Sequence, residues 1–163
     1  MFMSSPNVLR PRPVVLVLLV AVASTTCGKG GPTAPGSAPP PPPNRGSVLV
    51  TIKPNPVPFS GVPVTDTPEC ATLKETWYYD QIFKETGGTS ITFTARVDTF
   101  DGFVVNNFSG LNIQIQPLGS LTLHARWCSG NPIQHVAQST FTGVDGNGSP
   151  VSLTTDQITL LAP

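Results

Sequence analysis

From residue 47 to the C-terminus the side chains alternate between apolar and polar in short runs, the period of two that marks strands with one face buried. Val48, Val50 and Ile52 stand against Leu49, Thr51 and Lys53, a first strand over 47–53. Pro54-Asn55-Pro56-Val57-Pro58-Phe59 breaks the pairing, because alternate prolines suit an edge or an extended crossover; Pro63 and Pro68 carry the irregularity to Cys70. Residues 72–85, with Trp77, Tyr78, Tyr79, Ile82 and Phe83, read as a strand, since β-enriched aromatics precede the Gly87-Gly88 turn. Over 90–100 the alternation is strict. Ile91, Phe93, Ala95 and Val97 are expected to face one way, and Thr92, Thr94, Arg96 and Asp98 the other.

Asp101-Gly102 is a two-residue hairpin signal between Phe100 and Phe103. A short return strand over 103–108 is expected, then a separate one through Leu111, Ile113 and Ile115 to Pro117. Leu121, Leu123, Ala125 and Trp127 alternate with Thr122, His124 and Arg126 up to Cys128. After a loop at 129–132 come a strand over 135–144, a tight turn at Asp145-Gly146-Asn147-Gly148 and one last strand over 151–161. Short strands at this spacing with turn residues between them predict an all-β chain folded as an antiparallel β-sandwich.

The first third follows another pattern. Residues 1–13 carry Arg10 and Arg12 and no acid, and 14–23 is an unbroken apolar run too short to span a bilayer. Together they read as an export signal. Ala21-Val22-Ala23 offers cleavage after Ala23 and a soluble, secreted product. Alternatively, Ser24-Thr25-Thr26-Cys27 resembles the lipobox of bacterial lipoproteins, although Ser24 stands where that motif usually has Leu. The resemblance implies a lipid on Cys27, with the number of acyl chains that stable anchoring needs. Residues 28–46, with consecutive prolines from Pro39 to Pro43, have too few aliphatic side chains for a core and read as a disordered tether. Its prolines favour an extended spacer of about 3.1 Å per residue. The expected division is a signal peptide over 1–26, a tether over 27–46 and a β-sandwich domain over 47–163.

Charge changes the picture only by exclusion. Nine basic residues balance nine acidic ones, and losing Arg10 and Arg12 with the leader would leave seven against nine. A charge-poor, slightly acidic domain has no electrostatic footprint for nucleic acid. The cysteines are Cys27, Cys70 and Cys128. An exported chain normally pairs an even number, so Cys70 is expected to bond Cys128, leaving Cys27 for the lipid.

Candidate chemistry is sparse. His124 shares a strand face with Thr122 and Arg126 and reads as solvated, and His135 opens a strand in a similarly ordinary way. Two histidines without a Cys-x-x-Cys or His-x-x-x-His arrangement make no zinc site, and no cofactor is expected. Asp145 with Asn147 could suggest a calcium loop, but the twelfth position is Asp156 in strand-like sequence, so a hairpin turn is favoured. Asp98 and Asp101 could contribute to a surface cation site, but there too an ordinary hairpin is favoured. Asn107-Phe108-Ser109 and Asn147-Gly148-Ser149 are glycosylation sequons, which matter only in a eukaryotic secreted chain. Phe100, Phe103 and Phe108 around the hairpin tip are either capped by the domain's own loops or a contact site for a partner or a carbohydrate.

Cys27 with its tether, the proline-rich opening at 54–59 and the Asp145–Gly148 turn together resemble uncharacterised bacterial envelope lipoproteins carrying one immunoglobulin-like β-sandwich. The resemblance implies a location, exported and held in the cell envelope, and no activity. The expected function is a non-enzymatic, lipid-anchored binding or structural module with a protein or carbohydrate ligand. A secreted adhesive or carbohydrate-binding accessory domain is the alternative. A small hydrolase comes third, for want of a nucleophile–base pair.

Overall fold

The computed structural model of the protein describes residues 44–163. The expected signal peptide, Cys27 and most of the expected tether lie outside them. The described residues form eight strands: β1 (Val48–Lys53), β2 (Glu75–Glu85), β3 (Ile91–Phe100), β4 (Phe103–Ile115), β5 (Ser120–Ser129), β6 (His135–Asp145), β7 (Pro150–Thr154) and β8 (Ile158–Leu160). One sheet has the order β1-β2-β5 and the other β4-β3-β6-β7, with β8 continuing on β6 beyond β7. All these named-strand pairings are antiparallel. The chain is an immunoglobulin-like β-sandwich, its sheets linked by crossings between β2 and β3, β4 and β5, and β5 and β6.

Local sequence accounts for most of this. The β2–β5 pairing sets aromatic and aliphatic residues opposite one another, Trp77 on Trp127 and Phe83 on Leu121 among them, the cross-strand contacts that stabilise a sheet. The β3–β4 turn uses Asp101 and Gly102, both at positive φ (50° and 82°), which matches the twist of the flanking strands. Two boundaries differ from the alternation pattern. Residues 103–115 are one strand with an irregularity around Gly110, not two strands. The last strand is broken at 155–157 into β7 and β8, whose registers on β6 differ by one residue.

The core has two apolar clusters. Trp77, Tyr79, Trp127, Ala137, Ile158 and Leu160 are among the members of one, and Phe83, Ile91, Phe93, Ile115 and Phe141 make the other. Between them lies a polar layer. Gln81 stands between Tyr79 and Phe83 on β2, Ser139 between Ala137 and Phe141 on β6, and Asp98 between Phe93 and Phe100 on β3; all three are buried.

The two sides of the sandwich are closed differently. After β1 the proline-rich segment crosses to the other sheet: the Val57 amide donates to Thr159 O, the Leu161 amide donates to Val57 O, and the Trp77 indole N–H donates to Leu161 O. That seals the side where β1 faces β8. On the opposite side the edges are β4 and β5. There the disulfide between Cys70, in a 3-10 turn (Pro68–Cys70), and Cys128 on β5 ties the crossover segment down. It bonds a loop to an edge strand, not one sheet to the other as in antibody domains. Asn44 to Gly46 already touch the domain, with Gly46 N–H on Asp145 Oδ2 and Asn44 O accepting from Asn147 Nδ2.

Candidate functional site

The bulge in β3 decides what the open side presents. Phe93 pairs with Gly143 and Ala95 with Thr142, so Thr94 is an extra residue on β3. One extra residue exchanges the faces of everything after it. Arg96, Asp98 and Phe100 therefore turn between the sheets, against the expectation that Arg96 and Asp98 would share the solvent face with Thr92 and Thr94. Gly143 makes room for the bend: a Cβ there would fall 2.0 Å from Thr92 O.

The result is a groove of about 580 Å³ between β4 and β5, within the range of small-molecule sites. Phe100, Phe108, Val105, Ala125 and Trp127 supply apolar wall, and the Cys70–Cys128 bridge closes one part of it. Arg96, Asp98 and Asn106 supply the polar part, with Arg126, His124 and Glu69 also lining it.

Asp98, 1% exposed, is the fixed point. Its Oδ1 accepts from Arg96 Nε at 2.6 Å and from Ser139 Oγ at 2.7 Å, and its Oδ2 accepts a long bond from Asn106 Nδ2 at 3.4 Å. Ser139 Oγ accepts in turn from Gln81 Nε2 at 3.3 Å. Gln81 Oε1 has no partner among the described residues. Burying a carboxylate is costly unless it is paired with a cation and hydrogen-bonded, and Arg96 and Ser139 provide both. The Arg96 guanidinium also lies over the rings of Phe141 and Phe108, at 5.5 and 5.9 Å from their centroids, so its position is set on several sides. Trp127 donates its indole N–H to Tyr79 Oη at 2.9 Å. Burial pushes the Tyr79 phenol up from its ordinary value, against the Trp127 bond, which pulls it down.

Phe100 and Phe108 line the same groove, and Phe103 stands apart from it. Phe100 packs inward, its ring 5.2 Å from Trp127 and 4.6 Å from His135. Phe103 is 74% exposed, and Phe108 is exposed at the groove over Arg96. A single contact surface of all three does not form. Phe100→Ala is expected to lower stability by about 2 kcal/mol as a half-buried ring is lost from the core. Phe103→Ala is expected to change it by less than about 0.5 kcal/mol. Urea unfolding of the two variants checks the contrast, and equal losses would refute it.

His135 is not an ordinary strand-opening residue but is 2% exposed. Its Nδ1 meets Asp101 Oδ2 at 2.7 Å and its Nε2 meets Asn131 O at 3.2 Å, while Asp101 Oδ1 accepts the Val136 amide. Burial pushes the Asp101 carboxyl up, but the Val136 amide and the His135 ring outweigh it and hold it below the ordinary value. The pair fastens the β3–β4 hairpin to β6. Its signal in the sequence was thin, a histidine after an Asn-Pro loop. His124 is exposed at the groove's edge and pairs with Asp80 at 2.6 Å. Asp145 closes the β6–β7 turn, its carboxylate accepting from the Gly46, Asn147 and Ser149 amides. Among the described residues no group of three or more His, Cys, Asp or Glu could hold a metal ion.

No family model matches the chain, and no curated protein matches it by sequence. Solved structures do. A Bordetella pertussis protein provisionally named ApaA superposes with a TM-score of 0.54 at 16% identity, over 75% of this chain and 98% of that one. A structural-genomics target designated SoR45 gives 0.53 at 13%, over 72% and 88%. The CARDB domain of a Pyrococcus furiosus protein gives 0.43 at 16%, over 72% and 97%. At the identities of the first two the likeness is one of fold.

Proposed function

We propose that the protein is a non-enzymatic, lipid-anchored module of a bacterial cell envelope that binds a ligand in the β4–β5 groove. The observation that carries this reading is the pre-formed groove itself. Its wall residues stand on paired strands or next to a disulfide, so little conformational entropy is lost when a ligand enters. Its buried carboxylate is already engaged, Asp98 being paired with Arg96 and hydrogen-bonded by Ser139, which suits a fixed surface that holds a ligand. Both histidines are committed elsewhere, His135 to Asp101 and Asn131, and His124 to Asp80.

The anchor rests on Cys27. With Cys70 joined to Cys128, Cys27 is the remaining cysteine of the sequence, after an apolar run and before the glycines and prolines. A bacterial host expressing the full chain is expected to place radiolabelled fatty acid on it and to keep it in the membrane fraction. Cys27→Ser should lose the label and move to the soluble fraction. A wild type that takes up no label would sink the anchor and leave the secreted form.

A further inference from the structure

We infer that the β4–β5 groove takes a neutral, hydroxyl-rich ring, that is, a saccharide unit, with Phe108 as its apolar platform and Arg96 and Asn106 as its polar contacts. This rests on the groove being a binding site at all.

Charge balance comes first. Arg96 and Arg126 face the groove along with Asp98 and Glu69, so an anionic ligand would meet two carboxylates and a cationic one two guanidiniums. Neither gains the complementary field that charged ligands require. A neutral ligand loses nothing by it.

The unused hydrogen-bonding capacity comes next. Arg96 has five N–H donors, and only the one on Nε is bonded to a described residue. Its terminal nitrogens remain to donate, and they sit on a guanidinium fixed by Asp98, Phe108 and Phe141. Asp98 itself is 1% exposed and holds Arg96 and Asn106 in place, and the side-chain carbonyl of Asn106, which is part-exposed, is left to accept. The groove thus sets a row of donors beside an acceptor on a rigid frame. Adjacent hydroxyls on a sugar ring match that row, because each hydroxyl both donates and accepts. The C–H face of the same ring is apolar and would cover Phe108, whose exposed ring is backed by the Arg96 guanidinium.

An extended peptide fits less well. Adding a strand to the free edge of β4 would use main-chain groups along that edge. The registers of β3 and β4 shift between Phe93 and Ala95 and again between Asp98 and Thr99, which breaks the even row of N–H and C=O that an added strand needs. Such a peptide would also leave Arg96 untouched, because it faces between the sheets.

The test is calorimetric and fluorescence titration of the full chain in detergent. Neutral hexose and N-acetylhexosamine oligosaccharides form one panel, hexuronate oligosaccharides a second and uncharged hydrophobic peptides a third, each up to about 10 mM, where weak binding is still detectable. At least one neutral oligosaccharide should bind and change the emission of Trp127. Phe108→Ala, at an exposed position, should weaken it about tenfold with the melting temperature unchanged, and Asn106→Ala, half-buried and bonded to Asp98, should weaken it about tenfold with a fall of only a few degrees in melting temperature. Neutral-saccharide binding that survives both substitutions overturns the assignment. Binding that comes only from the hexuronates or peptides, and is lost in Phe108→Ala, overturns the saccharide class and leaves the groove a binding site. Silence from all three panels overturns both.

Discussion

Glu85→Ala is expected to destabilise the domain by on the order of 4 kcal/mol, among the largest effects of any single substitution outside the apolar clusters. Glu85 ends β2 and is fully buried, yet among the described residues no basic side chain pairs with it. Its Oε1 accepts the amides of Ser47 and Gly87, and its Oε2 those of Gly88 and Leu118. One carboxylate therefore holds the entry to β1, the β2–β3 turn and the β4–β5 turn. Hydrogen bonds to a charged acceptor are worth about 1.5–3 kcal/mol each, and an amide left unpaired adds its own desolvation cost; water entering at this end of the sandwich recovers part of the loss. Glu85→Gln keeps the shape but faces an NH2 toward amide donors, so it should lose about half as much.

The same carboxylate gives the domain an acid limit. Burial pushes the Glu85 carboxyl up, but the Leu118, Ser47, Gly88 and Gly87 amides outweigh it and hold it below the ordinary glutamate value. The Gly46 amide does the same for Asp145, against some burial and with help from Ser149, Asn147 and Arg45. A group whose folded pKa is depressed stabilises the fold above its unfolded pKa, and that contribution is lost as pH falls through the folded one. Thermal stability should be flat near neutrality and decline below about pH 4.5, where the unfolded chain begins to take up protons first. In Glu85→Gln the decline should be shallower. Equal acid slopes in wild type and variant would show that Glu85 does not carry this linkage.

Removing the disulfide, as Cys70→Ser with Cys128→Ser, is the second large effect. The bond closes a segment with a sequence separation of 58, and the chain-entropy cost of a loop of that length is about 4 kcal/mol. For a domain of this size that corresponds to a fall in melting temperature of about 15 °C. The loss should also reach the groove, because Thr67, Glu69 and Cys70 line it and are held on β5 by this bond, with the Arg126–Asp66 pair beside it. Reduction of the wild type should reproduce both changes. A reduced protein that melts within about 3 °C of the oxidised one would mean that the crossover segment is held by its other contacts, among them the Tyr78 hydroxyl on Val62 O and Pro63 O.

Whatever depends on neighbours along the chain was legible without the structure. Alternation placed the strands, Asp101-Gly102 and Asp145–Gly148 placed two hairpin turns, and the cysteine count paired Cys70 with Cys128. These signals are local, because side chains in a strand alternate strictly and a turn needs its own residues at positive φ. The part that was not legible follows from one residue. Thr92, Thr94, Arg96 and Asp98 read as a single polar face, and nothing between Phe93 and Ala95 looks unlike a strand. The extra residue at Thr94 exists because β3 pairs with β6 on one side and β4 on the other, and because Gly143 on β6 lets the backbones approach. A bulge is a property of the pairing, not of either strand, and its consequence is a change of face. It turned Arg96 and Asp98 inward, seated Phe100 on Trp127 and His135, and left Phe103 outside. The groove, and with it the candidate site, came from tertiary pairing that no local period carries.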